Sequence, residues 1–320
     1  MSPLGEAIRL TFRMTDNAMI KDSMLEPPDL RRSMFSIAYR MLGRVADAED
    51  IVQEAFLRLQ NAMDQGVVVE SPKAYLATVT TRLAIDHLRS ARVRRESYVG
   101  SWLPEPVIED KEPAAVRQME LAESLSMAFL LMMETLSPIE RAVFLLREVF
   151  DYGYDEISKI VEKGEDNCRQ IFTRAKRRIE SGKPRFEASR EKRDQLADRF
   201  FAACQDGNVD DLVHLLAKDA VFYGDGGGKV TAAPHPVQGG DRVARLLHGL
   251  FNKGKDLGGR VRRVDVNGQP GAMFMDTTDR LIGVMELDIV DGAVQSVRTI
   301  VNPDKLQHLG PVSDVLRRDG

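Results

Sequence analysis

Cysteine is nearly absent. Cys168 and Cys204 are the only two in 320 residues, so the chain carries neither a disulfide framework nor the closely spaced ligand pairs of a metal site. No apolar run approaches the length of a membrane span. The first residues lack the cationic start and apolar core of a secretory leader, so the cytoplasm is the expected compartment. Tryptophan occurs once, at Trp102. Neither sign of charge is in large excess, and a net charge of -4, spread evenly, would speak against a nucleic-acid partner. The average hides a segregation. Bases outnumber acids over 72–96 and again over 166–193, whereas 105–134 is acidic, so positive charge is concentrated in two blocks suited to phosphates. What the chain has in plenty is apolar content, 43%, enough for two or three small domains, each with its own core.

The clearest chemistry lies in 136–180. Ser137 is placed to cap a helix, with Pro138 in its first position and Glu140 three residues past the cap to complete a capping box. Val143, Phe144 and Leu146 give that helix a buried face. In 154–161, Ile157, Ile160 and Val161 share one side, and Glu162-Lys163-Gly164-Glu165 supplies a turn. From 166 to 179, Cys168, Ile171, Phe172, Ala175 and Ile179 recur at helical spacing. The opposite face holds Asn167, Arg169, Gln170, Thr173, Arg174 and Arg177. In a major groove arginine pairs with guanine and Asn or Gln with adenine, while Lys176 and Arg178 suit phosphates. Helix, turn and basic helix in this order read as a helix-turn-helix DNA reader; the plainer reading of such a face is a solvated surface.

Upstream, 29–60 reads as two helices parted at Gly43. In the second, Ala48, Ile51, Val52, Ala55, Phe56 and Leu59 form the apolar stripe, and Asp47, Asp50, Glu54 and Leu57 lie opposite. Carboxylates around an apolar anchor complement a basic partner. After a loop over 61–71, Ser71 and Pro72 open a long helix that ends in arginines, with Lys73, Arg82, Arg89 and Arg92 placed for nucleic-acid strands. His87 in it reads as a surface or capping residue rather than a catalyst.

The segment Asp-Ala-Glu-Asp-Ile-Val-Gln-Glu-Ala-Phe-Leu-Arg-Leu at 47–59 resembles the core-binding helix of bacterial sigma factors. So do Pro-Lys-Ala-Tyr-Leu-Ala-Thr-Val at 72–79, Ala-Ile-Asp-His-Leu-Arg at 84–89 and Leu-Ser-Pro-x-Glu-Arg at 136–141. The resemblance implies that 47–59 docks on the clamp helices of the largest subunit of core RNA polymerase, with the beta flap as a further contact. It also implies promoter DNA as partner: 72–96 opens the minus-ten element, where a loop pocket holds an unstacked base, and the helix-turn-helix reads the minus-thirty-five duplex. With only these two sigma regions, the chain is similar to the extracytoplasmic-function (group IV) sigma factors. Asn-Cys-Arg-Gln-Ile-Phe at 167–172 departs from the commonest start of their recognition helix, so no promoter sequence is carried over. A plain repressor would need no acidic docking face like 47–59.

Between the two basic blocks, 100–117 is acidic and contains Pro104, Pro106 and Pro113, the marks of an extended linker. Trp102 is expected to dock, because solvated linkers rarely carry tryptophan. Beyond Lys183-Pro184 the composition changes. Helices are expected over 190–206, with Leu196, Phe200, Phe201 and Cys204 inward, over 208–218 and over 240–251. Strands follow over 260–266, 271–276, 281–289 and 293–301, parted by Asn267-Gly268, Thr278-Asp279 and Asp291-Gly292 turns. Three helices and a curved antiparallel sheet suggest an α+β cone with an interior pocket, a pattern that resembles SnoaL-like domains. Asp225-Gly226-Gly227-Gly228-Lys229 fails as a phosphate loop, since Tyr223 stands where a glycine is required and Val230 follows the lysine. With Trp-Leu-Pro-Glu-Pro at 102–106 and Asn-Pro-Asp-Lys-Leu at 302–306, it resembles the signatures of sigma factors that carry a fused C-terminal SnoaL-like domain. That resemblance implies regulatory-interface roles for Trp102, Asp225, Lys229, Asn302, Pro303, Asp304, Lys305 and Leu306, a domain that acts in cis, and no separate anti-sigma protein. A proton-transfer pair of Asp225 and His235, or a ligand-sensing pocket, are the other readings of this domain.

The expected organisation is two all-α sigma domains plus a C-terminal α+β SnoaL-like cone. Its parts are an extension over 1–28, a region 2 domain over 29–98, a linker over 99–120, a region 4 helix-turn-helix domain over 121–185, a SnoaL-like domain over 190–306 and a tail over 307–320. No catalytic residue, metal, cofactor or membrane contact is expected.

Overall fold

The computed structural model describes residues 27–96, 98–109, 125–180 and 189–316, with the backbone alone for 91–96 and 109. The expected N-terminal extension, the acidic half of the linker and the junction at Lys183-Pro184 lie outside those residues, apart from the last positions of the extension.

The helical part begins with α1 (Pro28–Leu42) and α2 (Val45–Asp64), parted by Gly43 in the left-handed region at φ 68. The long α3 (Pro72–Glu96) opens with Ser71 Oγ accepting from Ala74 N at 3.3 Å. After β1 (Ile108–Glu109), a two-residue strand in the linker, come α4 (Met127–Met133) and α5 (Pro138–Phe144), which continues through a π turn over Leu145–Val149. The Ser137–Glu140 capping box forms as expected. The pair α6 (Tyr154–Val161) and α7 (Glu165–Glu180) completes the helix-turn-helix, with Glu162 in the left-handed region at the turn.

The two helical domains do not keep separate cores. One apolar cluster runs from Met34 and Phe56 through Leu76 to Phe144, Ile157 and Ile179. Polar contacts seal it. The buried Arg141 donates to Met41 O at 2.6 Å, and Arg82 donates to Lys159 O at 2.8 Å and Ile160 O at 2.9 Å at the end of α6.

The C-terminal domain starts with α8 (Arg190–Asp206), where Phe200, Phe201 and Cys204 are buried, and α9 (Val209–Leu215). Then β2 (Leu216–Asp225) and β3 (Val237–Gln238) precede α10 (Gly240–Asp256), and β4 (Arg260–Val266), β5 (Gln269–Met275), β6 (Leu281–Val290) and β7 (Ala293–Ile300) follow. Asn267-Gly268 and Asp291-Gly292 take the left-handed backbone of tight hairpin turns.

Two expectations are corrected. The sheet is not antiparallel throughout, because β2, unforeseen, pairs parallel with β7. Nor does it close into a cone: its order is β1-β4-β5-β6-β7-β2-β3, an open sheet with β1 and β3 at its edges. One face packs on the domain's own helices through Phe200, Leu247, Met285 and Val297. The other face meets the rest of the chain, in a cluster of Val266, Met273, Val284 and Ile300 with Leu103 of the linker and Met127 of α4. The strand β6 is therefore buried on both faces.

Candidate functional site

The fused-domain signatures meet at one carboxylate. Asp225 sits fully buried at the end of β2 and accepts from Leu103 N at 2.8 Å, Lys305 Nζ at 2.6 Å and the Tyr98 hydroxyl. Lys305 also donates to Leu103 O, and its ammonium lies 4.6 Å from the Trp102 ring and 4.8 Å from that of Tyr98. Burial pulls the Lys305 ammonium down from its ordinary value against the pull of Asp225. Burial also pushes the Tyr98 phenol up, with the neighbouring carboxylate adding to it.

Asn302 joins the cluster. Its amide donates to Tyr98 Oη at 2.9 Å, and its side-chain oxygen accepts from Asp304 N at 3.1 Å, in the turn that Pro303 opens. Gly227 lies so close that a Cβ there would stand 2.2 Å from the Asn302 side chain, and one on Gly228 would press on Val99 at 3.2 Å. The glycine run is thus a close-approach device. Leu306 is fully buried in the cross-domain cluster, whereas Lys229 and Asp304 form an exposed ion pair at its margin. Of the regulatory residues expected from sequence, Trp102, Asp225, Asn302, Lys305 and Leu306 form the centre, and Lys229, Pro303 and Asp304 the rim.

Trp102, expected to dock, and further residues to which the sequence reading gave no interface role carry the linker onward. Trp102 packs over the Gly43 turn, where a Cβ would lie 3.0 Å from its ring. Glu105, almost fully buried, accepts from Val45 N at 2.7 Å and from Arg44 Nε at 3.0 Å. The linker thereby caps α2, whose own N-cap residue supplies no side-chain bond. Asn267, read from sequence only as a turn residue, is fully buried and donates to Tyr39 Oη of α1 at 2.7 Å and to Leu125 O at 2.9 Å, while its side-chain oxygen accepts from Val107 N at 3.0 Å. On β6, Glu286 accepts from Met127 N at 3.1 Å and pairs with Arg298, which also binds Asp288. Burial pushes the Glu286 carboxyl up, opposed by Arg298. Glu105 belongs to the Trp-Leu-Pro-Glu-Pro motif, which signalled it without a role; nothing local marked Glu286, and Asn267 was marked only as a turn residue.

On α2, Asp50, Glu54 and Leu57 are exposed and Asp47 is half-buried. Asp47, Asp50 and Glu54 line a groove shared with Asp86 and His87 of α3. His87 Nε2 lies 3.2 Å from Asp47, and Glu54 is bridged by Arg58. On α7, Asn167, Arg169, Gln170, Thr173, Arg174 and Arg177 are all exposed on one face, Arg169 stacking over Tyr154 at 4.7 Å. Lys176 is held by Glu148, and Arg178 donates to Thr135 O. Lys73 and Arg89 are exposed on α3, Arg89 beside Asp86; the Arg92 side chain lies outside the described residues. Arg82, expected on DNA, is engaged by α6 and Glu162. Asp225 spends both oxygens on the linker contacts and His235 is exposed, so they do not make an acid–base pair.

A helical pair joined to a helix-turn-helix and an α+β module define a transcription factor of the sigma class. Residues 29–94 match the profile of sigma-70 region 2, 126–179 that of sigma-70 region 4, and 197–301 that of the SnoaL-like domain. The chain is 36% identical over 291 residues to the ECF RNA polymerase sigma factor SigJ of Mycobacterium tuberculosis, covering 86% of this chain and 90% of that one. To the probable ECF RNA polymerase sigma factor SigI of the same organism it is 30% identical over 283 residues, 87% and 93% of the two chains. The crystal structure of M. tuberculosis SigJ superposes with a TM-score of 0.70 at 31% identity, over 89% of this chain and 98% of that one. The chain belongs to the extracytoplasmic-function RNA polymerase sigma factors, in the form that carries a fused SnoaL-like C-terminal domain. It is a sigma factor, not an enzyme. No helix among the described residues is long and apolar enough to cross a membrane.

Proposed function

We propose that the C-terminal domain regulates the sigma portion in cis, without a separate anti-sigma protein, by holding the linker against both helical domains. Asp225 carries this reading. Its one carboxylate ties Lys305 of the C-terminal domain to Tyr98 at the end of region 2 and to the linker backbone at Leu103, two residues from the glutamate that caps α2. In the open state α2 meets the clamp helices of the polymerase largest subunit through Asp47, Asp50, Glu54 and Leu57, and the helix-turn-helix domain meets the beta flap. Lys73, Arg82, Arg89 and Arg92 then take the minus-ten strands, and Asn167, Arg169, Gln170, Thr173, Arg174 and Arg177 read the minus-thirty-five duplex. Arg82 links the two states, because a guanidinium spent on the end of α6 is unavailable to a phosphate.

The test is promoter-dependent run-off transcription with purified core polymerase, on a promoter selected from random DNA, comparing the full chain with one stopped after Arg185. The two are expected to differ in output. Equal output would remove the regulatory role of the C-terminal domain, and failure of both chains to bind core would remove the assignment of α2.

A further inference from the structure

The C-terminal domain holds a cavity of about 380 Å³ on the helix side of its sheet, within the range of about 300–1,000 Å³ of small-molecule sites. Its walls are apolar, formed by Leu250, Phe251 and Leu257 at the end of α10 and by Val261, Phe274 and Met285 of the sheet. The charged residues in the lining are all cations, Lys253, Lys255 and Arg260. Lys255 donates to Gln205 O and Arg260 binds Asp279, while Lys253 stands exposed at the rim. Inside the lining, the Thr299 hydroxyl is buried with no hydrogen-bond partner among the described residues.

The cavity is also wired to the linker. Val315 and Leu316 of the C-terminal segment form part of its wall, and Leu316 O accepts from Thr231 N at 3.2 Å. Thr231 ends the loop whose Gly227 and Gly228 press on Asn302 and Val99. A molecule that shifts Leu316 therefore pulls on the loop that lies against Asn302 and Val99 and directly follows Asp225, the carboxylate that binds Tyr98 and Lys305.

We infer that this cavity is an effector site for a small amphipathic carboxylic acid, its apolar body in the lining and its carboxylate at Lys253, acting through Leu316 and Thr231 on the linker contacts. The inference rests on the cis-regulatory reading for its consequence. Its test needs neither polymerase nor promoter, so the two fail separately.

The probe is dodecanoate, titrated calorimetrically into the full chain, with dodecanol as the uncharged counterpart and the emission of the single Trp102 recorded in parallel. One saturable site is expected, with Trp102 emission changing at the same midpoint and dodecanol binding at least about tenfold more weakly. Lys253→Glu, an exposed position at which folding is checked by thermal melting, is expected to weaken dodecanoate by at least about tenfold, a loss of about 1.4 kcal/mol. Absence of saturable binding, equal binding of dodecanol, indifference to Lys253→Glu, or binding that leaves Trp102 emission unchanged would each overturn the proposal.

Discussion

At the scale of single residues, the chain commits unusual amounts of buried charge to the boundary between its parts. Asp225 with Lys305, and Glu286 with Arg298 and Asp288, are ion pairs at or near zero exposure. Such pairs add little net stability over an apolar substitute, but breaking one by removing a single partner is severe. Asp225→Asn leaves the Lys305 ammonium buried without a counter-charge, and is expected to destabilise the docked domain by about 3–5 kcal/mol. The double variant Asp225→Leu with Lys305→Met recovers much of that loss. Urea unfolding followed through Trp102 emission measures both, and an equal loss in the single and double variants would mean that the charges are not coupled.

Among the elements, the helices were the legible part, because their signals are local. Ser137 with Glu140, and the stripe of Cys168, Ile171, Ala175 and Ile179, announce their helices within a few residues. The sheet was read only where alternation and turn residues survived. In β2 the exposed Lys218 and Asp219 interrupt the pattern, and its parallel pairing with β7 is a long-range choice with no local mark. Glu286 and Asp288 look like the solvent side of β6, yet both are buried, Glu286 against Met127 of α4 and Asp288 against Arg298 of β7, a burial that no single strand can advertise. The fused-domain residues were found through motif resemblance alone, and Glu105, which lies inside the Trp-Leu-Pro-Glu-Pro motif, caps α2 from sixty residues away in the chain, a role the motif did not give it. Loss of a helix cap costs about 0.5–2 kcal/mol. Glu105→Ala is thus expected to lower the unfolding free energy by that order, read by denaturant titration, while Glu105→Gln retains part of the cap.

For the molecule as a whole, one apolar cluster spans both helical domains and a second fills the SnoaL-like domain, and each holds one of the two cysteines. Both thiols are buried; burial pushes Cys204 up to about 12, and raises Cys168 as well. Thiolate is the reactive form, so neither should react with Ellman's reagent in the native chain at mildly alkaline pH, and both should react once it unfolds. Mapping which thiol appears first as denaturant rises reports which core opens first. Rapid labelling of both in the native protein would contradict the packing described.

The short strand β1 has a consequence of its own. Ile108 and Glu109 pair with Val266 and Asp265, so the linker itself covers one end of the sheet's outer strand β4. If the linker leaves, as the proposed regulation requires, the Asp265–Val266 end of β4 loses its partner and the whole edge of the strand stands unpaired, the kind of rim that recruits another strand. A chain so opened would be adhesive, and whichever extended segment next lay along β4, its own linker on the way back or a stranger's, would set how long it stayed open.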